Sequence, residues 1–369
     1  FILGTVMAAA APVFPILLTG RLIQGVGTGI ALPLMFNIVL EQVPEERLGL
    51  MMGIASLITA MAPAVGPSLG GLIVSNWGWR MIFVALLPLL LLSLLFGAFS
   101  IRQVTETQKA TFQTGEYLLL VLGFACLIFA TSLASGSGWT SAPVLLLFLA
   151  SLLALALFCR CSLRAQTPLI NLRVFRRGPF TFSVLVLVLI QFVCLGLGFL
   201  IPNYAQIVSR QEAFLAGCLL LPGCLVGAVL SPVSGRVLDR LGPERPILLG
   251  NLSILVSLVC FSLFAGALTT GAFLVFYLFF AFGQGFSVGT SMTNGLSHLP
   301  PEQNPDGNAV INTLQQLAGA IGTSVVSTMV ASAQAALPED LAAATRLGSQ
   351  HAFYLLAVLT VGILCCSIG

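Results

Sequence analysis

The chain has 369 residues, of which 58% are hydrophobic and only 7% charged, and its formal net charge is +3. So few charges cannot clothe a water-soluble protein of this length, which excludes a soluble globular fold and leaves an all-α polytopic membrane protein. The small net charge says little about partners; the positions of the charges say more.

A helix needs about 20 apolar residues to cross the hydrocarbon. In chain order, apolar segments fall near 1–13, 15–40, 49–75, 79–100, 117–134, 143–159, 179–207, 213–234, 246–267, 271–297, 308–333 and 350–368. That predicts twelve spans. The first segments hold Arg21, the only ionisable residue deep in any span, with Gln24 one turn further on. An arginine at mid-bilayer costs about 2.5–3.5 kcal/mol even on the lenient scale, so it needs a reason, whether function or the bonding of helix-end carbonyls. The third segment carries Ala62-Pro63-Ala64-Val65-Gly66-Pro67-Ser68-Leu69-Gly70-Gly71. In water this run would break a helix; in a bilayer it is kept as a bent, closely packed span. Ser56, Thr59, Pro63, Gly66 and Gly70 share one face of it, which predicts close approach to another helix.

Further along, the loop at 160–177 has five arginines among Leu169, Ile170, Leu172, Val174 and Phe175, which predicts a segment lying on an anionic membrane surface. Gln284, Ser287, Ser291, Asn294 and His298 share one face, and Asn308, Asn312, Gln315, Gly319 and Gly322 another. Polar faces in a bilayer turn toward protein or a wet cavity. Both cavity lining and interhelical hydrogen bonding satisfy that demand. Gln191, Phe192 and Tyr204 on the 179–207 span are further cavity candidates, and an apolar cavity dressed with amides and aromatics suits bulky amphipathic compounds.

The loops alternate in charge. One set holds Arg47, Arg102, Lys109, Arg160, Arg164, Arg173, Arg176, Arg177, Arg236, Arg240 and Arg245; the other holds Arg80, Arg210 and Arg346. Eleven bases against three place the first set in the cytoplasm.

The run at 62–69 has an echo in Ala318-Gly319-Ala320-Ile321-Gly322-Thr323-Ser324-Val325, 256 residues later. Parallel repeats of this kind mark two-halved transporters. The offset covers eight spans, where a plain six-plus-six design would give six. The segments 117–134 and 143–159 therefore read as an inserted pair. The second half begins near 179, so its counterpart would begin about 77 residues before Phe1. The spacing predicts fourteen spans in the intact protein, with the first two missing here. The resulting division is 1–100, a first bundle; 101–178, the inserted pair with its loops; and 179–369, a second bundle.

At these residues the chain resembles the major facilitator superfamily, and within it the fourteen-span drug:proton antiporters of the EmrB/QacA type. Gly20-Arg21-Leu22-Ile23-Gln24-Gly25-Val26-Gly27 is similar to the family's R-x-x-Q-G-x-G motif. Gly53, Ala62, Pro63, Gly66, Pro67, Gly70 and Gly71 resemble its antiporter motif, which often has Gly where this chain has Ala62. Gly235-Arg236-Val237-Leu238-Asp239-Arg240-Leu241-Gly242, followed by Arg245, resembles the second-half copy of G-x-x-x-D-R-x-G. Pro168 to Arg177 is similar to the basic stretch that follows the inserted pair. The resemblance implies two pseudo-symmetric bundles and multidrug efflux by alternating access, with hydrophobic or cationic compounds leaving as protons enter. It assigns Arg21 and Gln24 to proton coupling, the 62–71 surface to sealing the outer side, and Gly235, Asp239, Arg240, Gly242 and Arg245 to a cytoplasmic latch. Other readings are a carrier of another small solute built on the same fold, and a truncated chain without transport.

No Asp or Glu lies deep in a span, and arginine stays protonated. The proton carrier is therefore outside this chain, where the family places it on the first span, or the chain is not a proton antiporter. Lys109, the sole lysine, has no glycine-rich context, so no phosphate-cradling loop is expected. His298 and His351 stand alone, so no metal is expected, nor any cofactor, nucleic acid or enzymatic activity. The implied partners are substrates, protons and the lipid bilayer of the cell membrane; no accessory subunit can be read from the residues.

Overall fold

The computed structural model describes residues 1–100, 113–165 and 168–368. Arg102 and Lys109 lie outside the described residues, as do the side chains of Pro63 and Pro67. The regular structure of the described residues is helical throughout. First come α1 (Ile2–Ala9), α2 (Phe14–Gln42), α3 (Leu48–Trp77) and α4 (Arg80–Ser100). A hairpin of α5 (Thr114–Ser137) and α6 (Ala142–Arg164) follows. The remainder is α7 (Gly178–Ile207), α8 (Ala213–Cys218), α9 (Leu221–Leu241), α10 (Glu244–Leu263), α11 (Thr270–Ser297), α12 (Asn304–Ala336) and α13 (Leu341–Ile368).

The twelve apolar segments all fall on helices. Among the described residues, ten helical stretches are long and apolar enough to cross a membrane, with Leu48–Thr59 as a shorter apolar helix. The segment at 213–234 is not one rod: it is α8 and α9, joined at Leu219–Leu220. Helix boundaries follow local chemistry. Pro15, Pro143, Pro179 and Pro222 sit in first turns, where the missing N–H is not needed. Gly78 and Gly242, with φ of 83° and 81°, end α3 and α9 in the left-handed region that glycine enters freely. Pro33, Pro88, Pro202 and Pro232 lie inside helices, as packing partners in a bilayer permit.

The largest core belongs to α7–α13. Phe261 and Phe353 stack at 5.0 Å, and Tyr204 meets Phe273 edge-on at 5.4 Å. By contrast, none of the α4 span is buried, and it exposes Leu89, Leu94, Phe96 and Phe99. An apolar helix surface of this kind is matched to lipid. A second cluster joins the two groups of helices: Phe36, Met52 and Ala55 of α2 and α3 pack with Phe180, Leu187, Met292, Leu296, Val310 and Ile311 of α7, α11 and α12. Val174 is part of it, with Ile170 and Phe175 packed alongside. Ile170, Val174 and Phe175 of the arginine-rich loop thus turn into the protein. Arg173, Arg176 and Arg177 face outward.

Candidate functional site: a cavity between two helix groups

The helix α3 leans on α9 and α11 across the two groups. Small residues decide where the backbones meet. A Cβ on Gly53 would sit 2.6 Å from the Ser231 carbonyl oxygen, and Gly235 abuts the Gly49 carbonyl with no room for a side chain. Only glycine permits that crossing. Just beyond it, the Asp239 carboxylate accepts hydrogen bonds from the backbone N–H groups of Gly49 (3.1 Å) and Leu50 (3.2 Å). Helix N-termini leave such N–H groups unpaired and favour negative charge. Asp239 of α9 therefore caps α3 from the opposite group of helices. Arg240 and Arg245 are exposed beside this cap.

Above the crossing lies a cavity of about 540 Å³ walled by α2, α3, α7, α9, α11 and α12. Its polar lining includes Gln191, Gln284, Asn312, Gln315 and Gln316, with Ser56 and Thr59 from α3. Gln284 Nε2 donates to Cys194 Sγ at 3.3 Å, and Cys224 Sγ lies 3.1 Å from the Tyr277 hydroxyl. Met35, Phe36, Leu195, Val288 and Met292 supply the apolar walls. A mostly apolar cavity with a few convergent amides holds an amphipathic small molecule.

Of the cavity candidates in the sequence, Gln191, Gln284, Asn312 and Gln315 line it. The others do not. Tyr204 is 1% exposed in the α7–α13 core, its hydroxyl donating to the Ala265 carbonyl at 3.4 Å. Phe192 contributes its backbone to a close approach by Gly322. Ser291 is 3.4 Å from Ser287, which donates to Asn251 at 2.6 Å in an α10–α11 seam. Asn294 Nδ2 donates to Ser183 Oγ at 3.5 Å. Asn308 crosses to α2, donating to the Pro33 carbonyl (2.9 Å) and to Asn37 Oδ1 (2.6 Å).

The 62–71 run also lands differently from its reading in the sequence. Ala62 lines the cavity. A Cβ on Gly66 or Gly70 would meet nothing within 4 Å, and one on Gly71 would come to 3.7 Å from Phe214. The tight approach of α3 is made several turns earlier, at Gly49 and Gly53. In the echo, Gly319 and Gly322 pack against Leu195 and Phe192 of α7. Arg21 is exposed and away from the cavity lining. Its Nη1 donates to Gln24 Oε1 at 2.9 Å, Gln24 Nε2 donates to Thr5 Oγ1 at 2.8 Å, and the guanidinium lies 6.0 Å from the Phe83 ring. That network ties α1, α2 and α4 together.

Sequence reasoning missed Asn37 and the cavity roles of Ser56, Thr59 and Gln316. Asn37 had a readable signal, an amide near the end of the apolar 15–40 segment, where an unpaired polar group is expensive. Gln316 was passed over because adjacent helix residues lie about 100° apart and the polar face through Asn308, Asn312 and Gln315 leaves it out, yet both glutamines reach the cavity.

Two groups of apolar helices meeting over an amide-lined cavity define a multi-pass membrane protein built to hold a small molecule between them. The profile of the Major Facilitator Superfamily matches residues 1–323, and the chain belongs to that family of membrane transporters. It is 38% identical over 374 residues to the lincomycin resistance protein LmrB of Listeria monocytogenes serovar 1/2a, covering 99% of this chain and 79% of that one. It is 36% identical over 379 residues to the lincomycin resistance protein LmrB of Bacillus subtilis strain 168, covering 98% and 78%. Its fold is similar to a crystal structure of a POT family transporter in complex with 5-aminolevulinic acid, with a TM-score of 0.63 and 14% identity over 100% of this chain and 79% of that one.

Proposed function

We propose that this protein is a secondary-active drug efflux transporter of the fourteen-span drug:proton antiporter type, exporting hydrophobic or cationic compounds by alternating access. The observation that carries the reading is the near-full-length similarity to proteins named for lincomycin resistance. The cavity supports it, since it is reached by residues of both helix groups, which is where a solute must sit if the groups rock about it. The inserted α5–α6 hairpin supports the fourteen-span type, and with it the division into 1–100, 101–178 and 179–369. In this reading Arg21 and Gln24 serve proton coupling, Asp239 with Gly235 and Gly242 serves as the cytoplasmic joint, and Gln191, Gln284, Asn312 and Gln315 contact the solute. Cells expressing the protein should accumulate less lincomycin than cells without it, and a protonophore should remove the difference. Equal accumulation in the two strains would count against drug efflux; a difference that survives the protonophore would count against proton coupling.

A further inference from the structure

We infer that Asn312, Asn308 and Asn37 form an amide relay that transmits occupancy of the cavity to the contact between the two helix groups. The inference rests on the transporter reading above, but its geometry stands apart from it. Asn312 is on the cavity wall. Its Nδ2 donates to both the backbone carbonyl of Asn308 (2.9 Å) and Asn308 Oδ1 (2.7 Å). Asn308 is 0% exposed. Its own Nδ2 donates across the seam to the Pro33 carbonyl and Asn37 Oδ1 of α2. Each amide group along the chain is thus committed to the next, and the terminal bonds are the ones that join α12 to α2.

Such a chain has properties that three separate hydrogen bonds lack. Buried amides in series polarise one another, and leaving one of them unpaired costs more than making the bond gains. Asn308 cannot turn away from α2 without also breaking its bond from Asn312. The relay's one end that faces the cavity is the Asn312 amide. A solute carbonyl or ether oxygen that takes an Asn312 hydrogen removes the partner of Asn308 Oδ1 and loosens its hold on α2. A solute changes a conformational equilibrium only by as much as it binds the two arrangements differently, and this competition supplies the difference. The solutes that act through the relay are therefore amphipathic molecules carrying a hydrogen-bond acceptor. The location suits the role. Asn37 lies one residue from Phe36, which belongs to the apolar cluster that closes the same end of the seam. Asn308 is thus a positioning residue, and Asn312 is the contact through which it is driven.

The test is hydrogen exchange of the protein in lipid nanodiscs, with and without lincomycin, paired with equilibrium lincomycin binding. In the wild type, lincomycin should change exchange at residues 33–50. Asn308→Ala should abolish that response while binding stays within about threefold, whereas Asn312→Ala should weaken binding by about tenfold, the scale of one lost hydrogen bond. An Asn308→Ala variant that keeps the wild-type response, or that loses binding as much as Asn312→Ala does, overturns the relay. If the wild type does not bind lincomycin, the drug-transport reading fails for that compound, and the relay is decided by ligand-free exchange. There, Asn308→Ala should accelerate exchange at the α2 and α3 ends about tenfold, as expected when a seam opens locally; unchanged exchange overturns it. If Asn308→Ala does not fold, Asn37→Ala replaces it with the same expected results, because Asn37 is only half-buried and its loss leaves the α12 amides in place.

Discussion

Glycines at similar sequence spacing do different work in this chain, and the difference can be measured residue by residue. Gly53 and Gly235 are pressed against carbonyls of the opposite helix, whereas Gly66 and Gly70 face open space. Gly53→Val should therefore lower stability by about 1–3 kcal/mol, the usual cost of forcing extra carbon into a packed contact. Gly66→Ala and Gly70→Ala should stay within about 0.5 kcal/mol of the wild type. Thermal unfolding in detergent distinguishes the two outcomes, and equal losses at all three positions would mean that the crossing is not where these contacts place it. Arg21 makes a separate prediction. If its guanidinium serves proton coupling rather than the mere bonding of α1 to α2, Arg21→Ala should cut export about tenfold or more with lincomycin binding unchanged. Unaltered export would reduce Arg21 to a packing residue.

At the scale of the helix, the joint between α3 and α9 is a cap, and caps have known worth. Removing an N-cap acceptor costs about 0.5–2 kcal/mol. Asp239→Ala should lower stability by that amount and speed hydrogen exchange of the α3 N-terminus, while Asp239→Asn, which keeps one accepting oxygen, should lose less. Equal effects of the two substitutions would argue against the cap. Much at this scale was legible beforehand. The apolar segments fall on helices because spans must bury nearly every backbone polar group within themselves, and hydropathy reports that directly. Asp239 was read as part of a charge latch with Arg240 and Arg245, and the backbone partners it takes were not readable. The sequence shows a carboxylate beside Arg240 and Arg245, and only the fold brings the Gly49 and Leu50 amides to it. Tyr204 failed for a related reason. An aromatic near the end of an apolar span fits a core and a cavity equally well by periodicity, and the surrounding phenylalanines that decide for the core come from α10 and α11. The 62–71 run is a case of the same kind, because small residues permit close approach to another helix without specifying which helix.

For the whole molecule, the contacts between the helix groups are uneven along the seam. The Gly53 crossing, the Asp239 cap, the Asn308–Asn37 bonds and the Phe36–Met292–Leu296 cluster all lie toward one end of α3. That end carries Arg47, Arg236, Arg240 and Arg245, the end that the charge bias of the loops leads one to expect on the cytoplasmic side. Toward the other end, a Cβ on Gly66 or Gly70 would meet nothing within 4 Å among the described residues, and one on Gly71 would come to 3.7 Å from Phe214 of α8. The amide-lined cavity begins just beyond the crossing, at Ser56, Thr59 and Ala62 of α3. The most direct test of the central claim is lincomycin accumulation in cells that express the protein, measured before and after a protonophore. The account predicts lowered accumulation that returns to the level of control cells once the proton gradient is dissipated; accumulation equal to the control from the outset would contradict it.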